Sequence, residues 1–509
     1  MNRADPGLAD KARWNAVAAA TGSLSRLLAG LIVARLLGPE LNGRYAFVLW
    51  LVEMLVMFFN AGLPAALNRF LALSLGRADW AAARQMVRLG VAAGAILALA
   101  AALATLGAAW FRPLTDTALL TLAFPLALLA AAQLGAGIAQ AILTGLHDFR
   151  AYARAVAVGS IFLLFAQIAG VYGWGLEGAI YGALIGQAAT ALLAVIAVAR
   201  GASSACVSPS PAAAIERTAF VRYARDSWLA ALISAVVWGR TELYFLERLS
   251  TAEQVGYFAV GLVFSAIIVQ AVNLVSGILL PHFSTLVGAA EKHRLHSDYR
   301  RLTFYFALFT FPIAAIGIAV TPEIVALLLG PSYAGAIASA RILMATGALA
   351  FATVGSAVVY GQGDAHVIRN WSLLGAVLLA SLCTMLAPSY GASGAAAARI
   401  AVQAAMIGVG FRLLYLRYGL IVPVWDLMKL FFAASGSGLA ALAGTAVVSS
   451  GLVAIALATF VGVFAYVFCL RWLRAVRADD AAVLQTVIGK VPAPLAKPCN
   501  ALLRLTVAR

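Results

Sequence analysis

The sequence predicts an all-α polytopic membrane protein with about fourteen transmembrane helices, in two six-helix lobes related by a parallel repeat plus two C-terminal helices. Three observations predict it. Apolar runs of about 20 residues recur along the whole chain, the length that crosses a bilayer as a helix. Of 509 residues, 63% are hydrophobic and 11% charged, and the mean hydropathy is +0.95; soluble domains carry about 25% charged residues. Finally, sliding the chain on itself by about 213 residues brings matching motifs into register.

Windows of about 19 residues place the spans near 14–36, 45–66, 86–109, 118–142, 153–172, 178–199, 224–246, 257–280, 302–320, 336–358, 370–388, 394–415, 428–449 and 451–472. The first two are joined by a short GPELNG turn, Gly38 to Gly43, and a Gly-Leu-Pro break at Gly62 to Pro64 follows. The basic N-terminus leads into a membrane-length run without a small-residue cleavage site, so it reads as the first helix rather than a removable signal. The division expected is 1–201, a six-helix lobe; 202–223, a Ser/Pro/Ala-rich cytoplasmic linker; 224–420, the second lobe; 421–473, two further helices; and 474–509, a basic cytoplasmic tail. Ser284 to Leu302 reads as a basic amphipathic surface helix or a solvated loop. Thr321 to Gly335 lies in the interface or extends the neighbouring helix.

The net charge is +16, but its placement decides its meaning. About 28 of the basic residues fall on one set of alternate loops and about 4 on the other, so the positive-inside rule puts both termini in the cytoplasm. No basic face interleaved with aromatics appears, and nucleic acid is not an expected partner. Cys206, Cys383, Cys469 and Cys499 show no CxxC spacing, so neither a disulfide framework nor a zinc site is implied. His147, His282, His293, His296 and His366 fall in or beside loops on one side, which argues against a histidine proton relay in the membrane.

At the repeat shift RLLGPELNGRYA (Arg35 to Ala46) overlies RLSTAEQVGYFA (Arg248 to Ala259), and Asn60 meets Asn273. A second block, shifted by about 216, lays Gly175 to Ile180 over Gly391 to Ala396, and Asp148 over Asp364. Copies of like polarity are related by an axis along the membrane normal.

Ionisable groups inside spans cost at least about 2.5–3.5 kcal/mol when isolated, so they face protein or a wet cavity. Arg26 lies roughly 18 Å along its helix from Trp14, near the midplane. In the repeat it falls opposite Gly239, one position from Arg240. Two such guanidinium groups line a positive cavity suited to bidentate phosphate contacts. The alternative is plain neutralisation, Arg26 by Glu53 and Arg240 by Glu242, which is weak for the second pair because i and i+2 residues leave a helix on different faces. Glu53 stays open between ion coupling and neutralisation. Asn60 and Asn273 line the cavity or bond across helices. Arg341 and Arg399 are near external helix ends, where long side chains snorkel. Pro64, Pro125 and Pro312 are candidate hinges.

No metal-spaced cluster, GxSxG or GxxxxGK[ST] occurs, so neither an enzyme nor an ATPase is expected, and no cofactor beyond a coupling ion, Na+ or H+. The motifs ARLLGPELNGRYAFV, NAGLPAALNRFLA, LLLGPSYAGA, GQGDAHVIRN and YGASGAAAARI resemble the polysaccharide-transporter branch, the Wzx-type flippases, of the multidrug/oligosaccharidyl-lipid/polysaccharide flippase superfamily. The resemblance spans residues 12 to 420. It implies two lobes around a central cavity, a location in the bacterial inner membrane, and transfer of an undecaprenyl-diphosphate-linked oligosaccharide from the cytoplasmic to the periplasmic leaflet for O-antigen, capsule or exopolysaccharide synthesis. It also implies a cationic cavity that meets the lipid diphosphate, the role carried to Arg26 and Arg240, with membrane lipids and other polysaccharide-assembly proteins as partners. Related lipid II flippases use two further helices as a lipid-tail groove. The rivals are a multidrug or cation antiporter on the same fold, which favours an acidic cavity, and a glycan polymerase or ligase, which needs a large external loop that this chain lacks.

Overall fold

The computed structural model describes residues 6–77, 79–111, 122–204, 217–276, 279–362, 364–447, 451–476, 480 and 485, and the regular structure among them is helical. In chain order the helices are α1 (Pro6–Phe59), α2 (Leu63–Gly76), α3 (Trp80–Phe111), α4 (Ala123–Gly145), α5 (Phe149–Ser204), α6 (Arg217–Trp238), α7 (Glu242–Leu249), α8 (Ala252–Ser276), α9 (Leu279–Gly288), α10 (Lys292–Leu328), α11 (Ala336–Ala348), α12 (Thr353–Gly361), α13 (Ala365–Tyr418), α14 (Val424–Val447) and α15 (Leu452–Trp472). Short 3₁₀ turns sit at Pro331–Tyr333 and Leu349–Ala352. The centre of the expected linker, Cys206, Cys499 and most of the expected tail lie outside the described residues.

Among the described residues ten helices are long and apolar enough to cross a membrane, and three of them, within α1, α5 and α13, run for 47, 52 and 49 residues. Straight helices of that length would reach about 70 Å or more, over twice the ~30 Å hydrocarbon core. Kinks resolve the excess: Gly38 (φ 74°) before Pro39 in α1, Trp174 and Gly175 in α5, and Gly391 in α13. Ten helices with three divided in two give thirteen arms, each matching one expected span. The expected GPELNG turn is shorter than predicted. Only Gly38 leaves helical geometry, because proline is pre-organised for the first helical position and starts the second arm at once.

Close contacts show that the arms of α5 fold back on each other. Gly170 meets Gly178, Gly182 meets Gln167, Gly186 meets Leu163 and Gly159 meets Thr190, partners that move apart in opposite directions along the chain. Small residues let these backbones approach, as in membrane helix pairs generally. The arms of α13 do the same: Trp371 Nε1 donates to the Met406 carbonyl at 3.2 Å, and Leu379, Cys383, Ala398 and Val402 form one apolar cluster. Gly175 (φ 54°, ψ −126°) and Gly391 (φ 52°, ψ −131°) share one backbone conformation, open to glycine and strained for any residue with a Cβ. They are the pair that the second repeat shift superposes.

The remaining expected span, 224–246, is not one helix. Gly239 to Thr241 interrupt it between α6 and α7. The basic segment expected as a separate surface helix is likewise different: its second half is the N-terminal extension of α10, continuous into the span, with Leu295 and Tyr299 buried and Lys292, Arg294, Arg300 and Arg301 exposed. The Thr321 to Gly335 stretch extends α10 to Leu328 before the 3₁₀ turn.

Contacts divide the chain into two compact units, Met1–Leu243 and Tyr244–Arg509. In the first, α1 lies along α5, with Gln167 Nε2 donating to the buried Tyr45 hydroxyl at 2.5 Å. The predicted break after α1 is present: Ala61 (φ 47°) and Gly62 (φ 70°) turn the chain into α2, with Pro64 in its first turn. α6 belongs to this unit and seats on the break, its Trp228 Nε1 donating to the Phe58 carbonyl at 2.9 Å.

In the second unit α10 contains Pro312 and Pro322. Each proline frees the carbonyl four residues earlier, Leu308 and Ile318, and an unsatisfied carbonyl in a membrane is costly. Both find donors from other helices: the Tyr466 hydroxyl of α15 reaches Leu308 O at 2.9 Å, and Arg341 Nε of α11 reaches Ile318 O at 3.2 Å. Arg341, expected to snorkel, is thus spent on a proline bend. α14 and α15 pack through Gly444 against Ala458, Ser437 Oγ donates to the Gly462 carbonyl at 2.8 Å, and Gly438 and Gly462 rest on Ala315 and Ile316 of α10. Replacing Tyr466 by Phe or Arg341 by Ala strands one freed carbonyl, a loss of about 1–3 kcal/mol. Thermal unfolding of the purified protein in detergent should show a lower Tm for both; an unchanged Tm for both would contradict this role.

Candidate functional site

The first arm of α1 carries Arg26 near its middle, thirteen residues after Arg13 and twelve before the kink at Gly38, roughly 18–20 Å from each. One turn earlier Gly22 is buried against Val156 of α5, which fixes this arm on α5. Arg26 itself is exposed, and Tyr152 of α5 lies within its electrostatic reach. Towards the N-terminal end of the same pair of helices, Arg150 stands over the Trp14 ring at 5.6 Å. Arg69 of α2 stacks on Tyr223 of α6 at 4.4 Å, within an aromatic cluster that includes Phe70 and Phe220. Cation–π contacts of this kind anchor helix ends near the head groups.

Arg240 lies in the three-residue break between α6 and α7, and it too is exposed. Among the described residues neither arginine forms an ion pair with a carboxylate. Glu53, exposed on the second arm of α1, does not pair with Arg26, so the neutralising contact weighed from sequence is not made. Glu242 opens α7 and is fully buried, whereas Arg240, two residues away, points to accessible space.

The two asparagines at matching repeat positions differ. Asn60 Oδ1 accepts a hydrogen bond from the Gly62 amide at 2.8 Å, a local bond that holds the α1–α2 break. Asn273 is exposed near the end of α8. Arg26 and Arg240 belong to the first unit and Asn273 to the second. Tyr152 and the Tyr45–Gln167 bond escaped sequence reasoning, since an uncharged polar side chain in an apolar run carries no distinctive signal. Among the described residues no three His, Cys, Asp or Glu side chains gather as a metal site.

What the first unit offers is therefore two accessible guanidinium groups without carboxylate partners among the described residues, one in the middle of a span and one in a helix break. Such groups are free to bind an anion through charge-assisted hydrogen bonds. A family model described as "Polysaccharide biosynthesis protein" matches residues 32–338. The chain belongs to that family. No curated protein sequence matches it. Solved structures place this family member on the fold of transporters of the MOP superfamily. The lipid II flippase MurJ, in an inward closed conformation, is similar at TM-score 0.68 and 12% identity, over 89% of this chain and 97% of that one. An inward-facing multidrug-resistance MATE-family transporter of the superfamily follows at TM-score 0.65 and 18% identity, over 78% and 94%. A Pyrococcus furiosus transporter of the superfamily, whose binding pocket of reverse polarity suggests a different function, matches at TM-score 0.58 and 17% identity, over 81% and 95%. With ten long apolar helices among the described residues, this family member is a multi-pass membrane protein.

Proposed function

We propose that this protein is a flippase for a lipid-linked glycan. It moves an undecaprenyl-diphosphate-linked oligosaccharide from the cytoplasmic to the periplasmic leaflet of the inner membrane, with both termini in the cytoplasm, for surface polysaccharide synthesis. The single observation that carries the reading is the pair of accessible arginines, Arg26 and Arg240, which have no carboxylate partner among the described residues. A charge in mid-span that has no protein partner needs water or an anionic ligand, and a diphosphate supplies the ligand in the geometry a guanidinium fork favours.

In this mechanism the arginines line a hydrated, cationic path and hold the diphosphate while the protein alternates its access. The glycan follows in water and the prenyl tail stays in lipid. The family description and the flippase among the structural neighbours support the substrate class. Asn60 supports the path by fixing the helix break beside it. Coupling to Na+ or H+ falls to Glu53, an exposed carboxylate of the second arm. Glu53 also favours a second reading, a cation or multidrug antiporter on the same fold, as for the MATE neighbour.

Depletion of the protein, followed by leaflet-resolved analysis of lipid-linked sugars, separates the two. The flippase reading predicts accumulation of one glycolipid on the cytoplasmic face. An antiporter leaves that distribution unchanged, and such a result would remove the support for flipping.

A further inference from the structure

The second unit holds a cleft of ≈190 Å³ lined by Ser297, Arg300, Arg301, Phe304, Asp426 and Asp480. It is smaller than the ~300–1,000 Å³ typical of pockets for drug-sized ligands, so it suits a compact polar group rather than a whole substrate. Its walls are the N-terminal turns of α10, the first turn of α14 and the chain just past α15. Arg300 and Arg301 are exposed and, among the described residues, in no ion pair. Asp480 accepts the Tyr305 hydroxyl at 2.9 Å, which brings the chain after α15 onto α10 and leaves the second carboxylate oxygen for another donor. Two cationic and two anionic groups thus share one small cleft.

Its depth is set by two indoles. Trp425, next to Asp426, is 77% exposed, and Trp472, at the end of α15, is 76% exposed. Tryptophan marks the head-group region of a bilayer, and the continuously apolar part of α10 begins at Leu302, directly after the arginines.

We infer that this cleft binds the head group of a zwitterionic phospholipid with a primary ammonium, its phosphate on Arg300, Arg301 and Ser297 and its ammonium facing Asp480. An anionic head group such as phosphatidylglycerol brings no cation to Asp480. A quaternary choline has no N–H to give it. A fully cationic ligand meets the arginines. The inference is independent of the transported substrate.

Native mass spectrometry of the full chain, delipidated in detergent and titrated with dihexanoyl phosphatidylethanolamine, phosphatidylcholine, phosphatidylglycerol and soluble glycerophosphoethanolamine, tests it. Phosphatidylethanolamine should bind best. Arg300→Ala with Arg301→Ala should weaken all three lipids by about tenfold or more, the scale of lost charge-assisted bonds. Asp480→Asn, which keeps an acceptor for Tyr305, should weaken phosphatidylethanolamine alone. Equal binding of phosphatidylethanolamine and phosphatidylglycerol to the unaltered protein overturns the inference, as does indifference to the arginine pair. Binding of glycerophosphoethanolamine as tight as that of the lipid overturns the membrane source and assigns the cleft to a soluble phosphodiester.

Discussion

Alanine at both Arg26 and Arg240 should abolish polysaccharide export while leaving a folded, membrane-inserted protein. Both side chains are exposed and make no ion pair among the described residues, so their removal strands no buried carboxylate and relieves a cost of placing charge at depth. Stability should hold or rise. Transport should fall by about 100-fold or more, because each guanidinium contributes about 1.5–3 kcal/mol of charge-assisted bonding to a phosphate. Lysine at both positions should restore part of the rate, since it keeps the charge and loses the bidentate fork. Export measured in cells lacking the native protein, beside membrane abundance of each variant, checks both halves.

Gly62→Ala should be among the most damaging single substitutions for folding. Gly62 has φ 70°, which costs a residue with a Cβ about 1–2 kcal/mol, and an added Cβ would sit 1.9 Å from the Ala224 carbonyl oxygen of α6. Backbone on both sides prevents easy relief, so α6 would have to leave the α1–α2 break, taking with it the Trp228 bond to the Phe58 carbonyl. A loss of several kcal/mol follows. Membrane abundance and Tm in detergent should both drop sharply, whereas Gly38→Ala, with open space around it, should cost only its backbone strain. Equal Tm values for the two variants would contradict the account of this junction.

Much of the architecture was legible because glycine and proline punctuate apolar runs. Gly38-Pro39, Gly175, Gly391 and Gly62 to Pro64 all mark real breaks, and the repeat shift paired the two glycines that share one conformation. The break at Gly239 to Thr241 was not legible, since a 19-residue average smooths three residues into their apolar surroundings. Nor was the continuity of α10 through its basic segment: the chain turns earlier, at Ala290 with φ 56°, a residue that does not announce a left-handed turn. For the site, the sequence pointed to arginines in spans but could not tell paired from free. Arg341 meets a carbonyl released by a proline 19 residues before it, and that partnership depends on helix packing. The same limit applies to Asn60 and Asn273, alike in the repeat and unlike in their bonding.

The most direct measurement uses the purified protein in vesicles that carry an undecaprenyl-diphosphate-linked oligosaccharide on the inner leaflet only, with an impermeant glycan-cleaving enzyme outside. The account predicts that glycan becomes accessible with the native chain and stays protected with the Arg26→Ala, Arg240→Ala variant. Protection with the native chain, or equal accessibility with the variant, would contradict it.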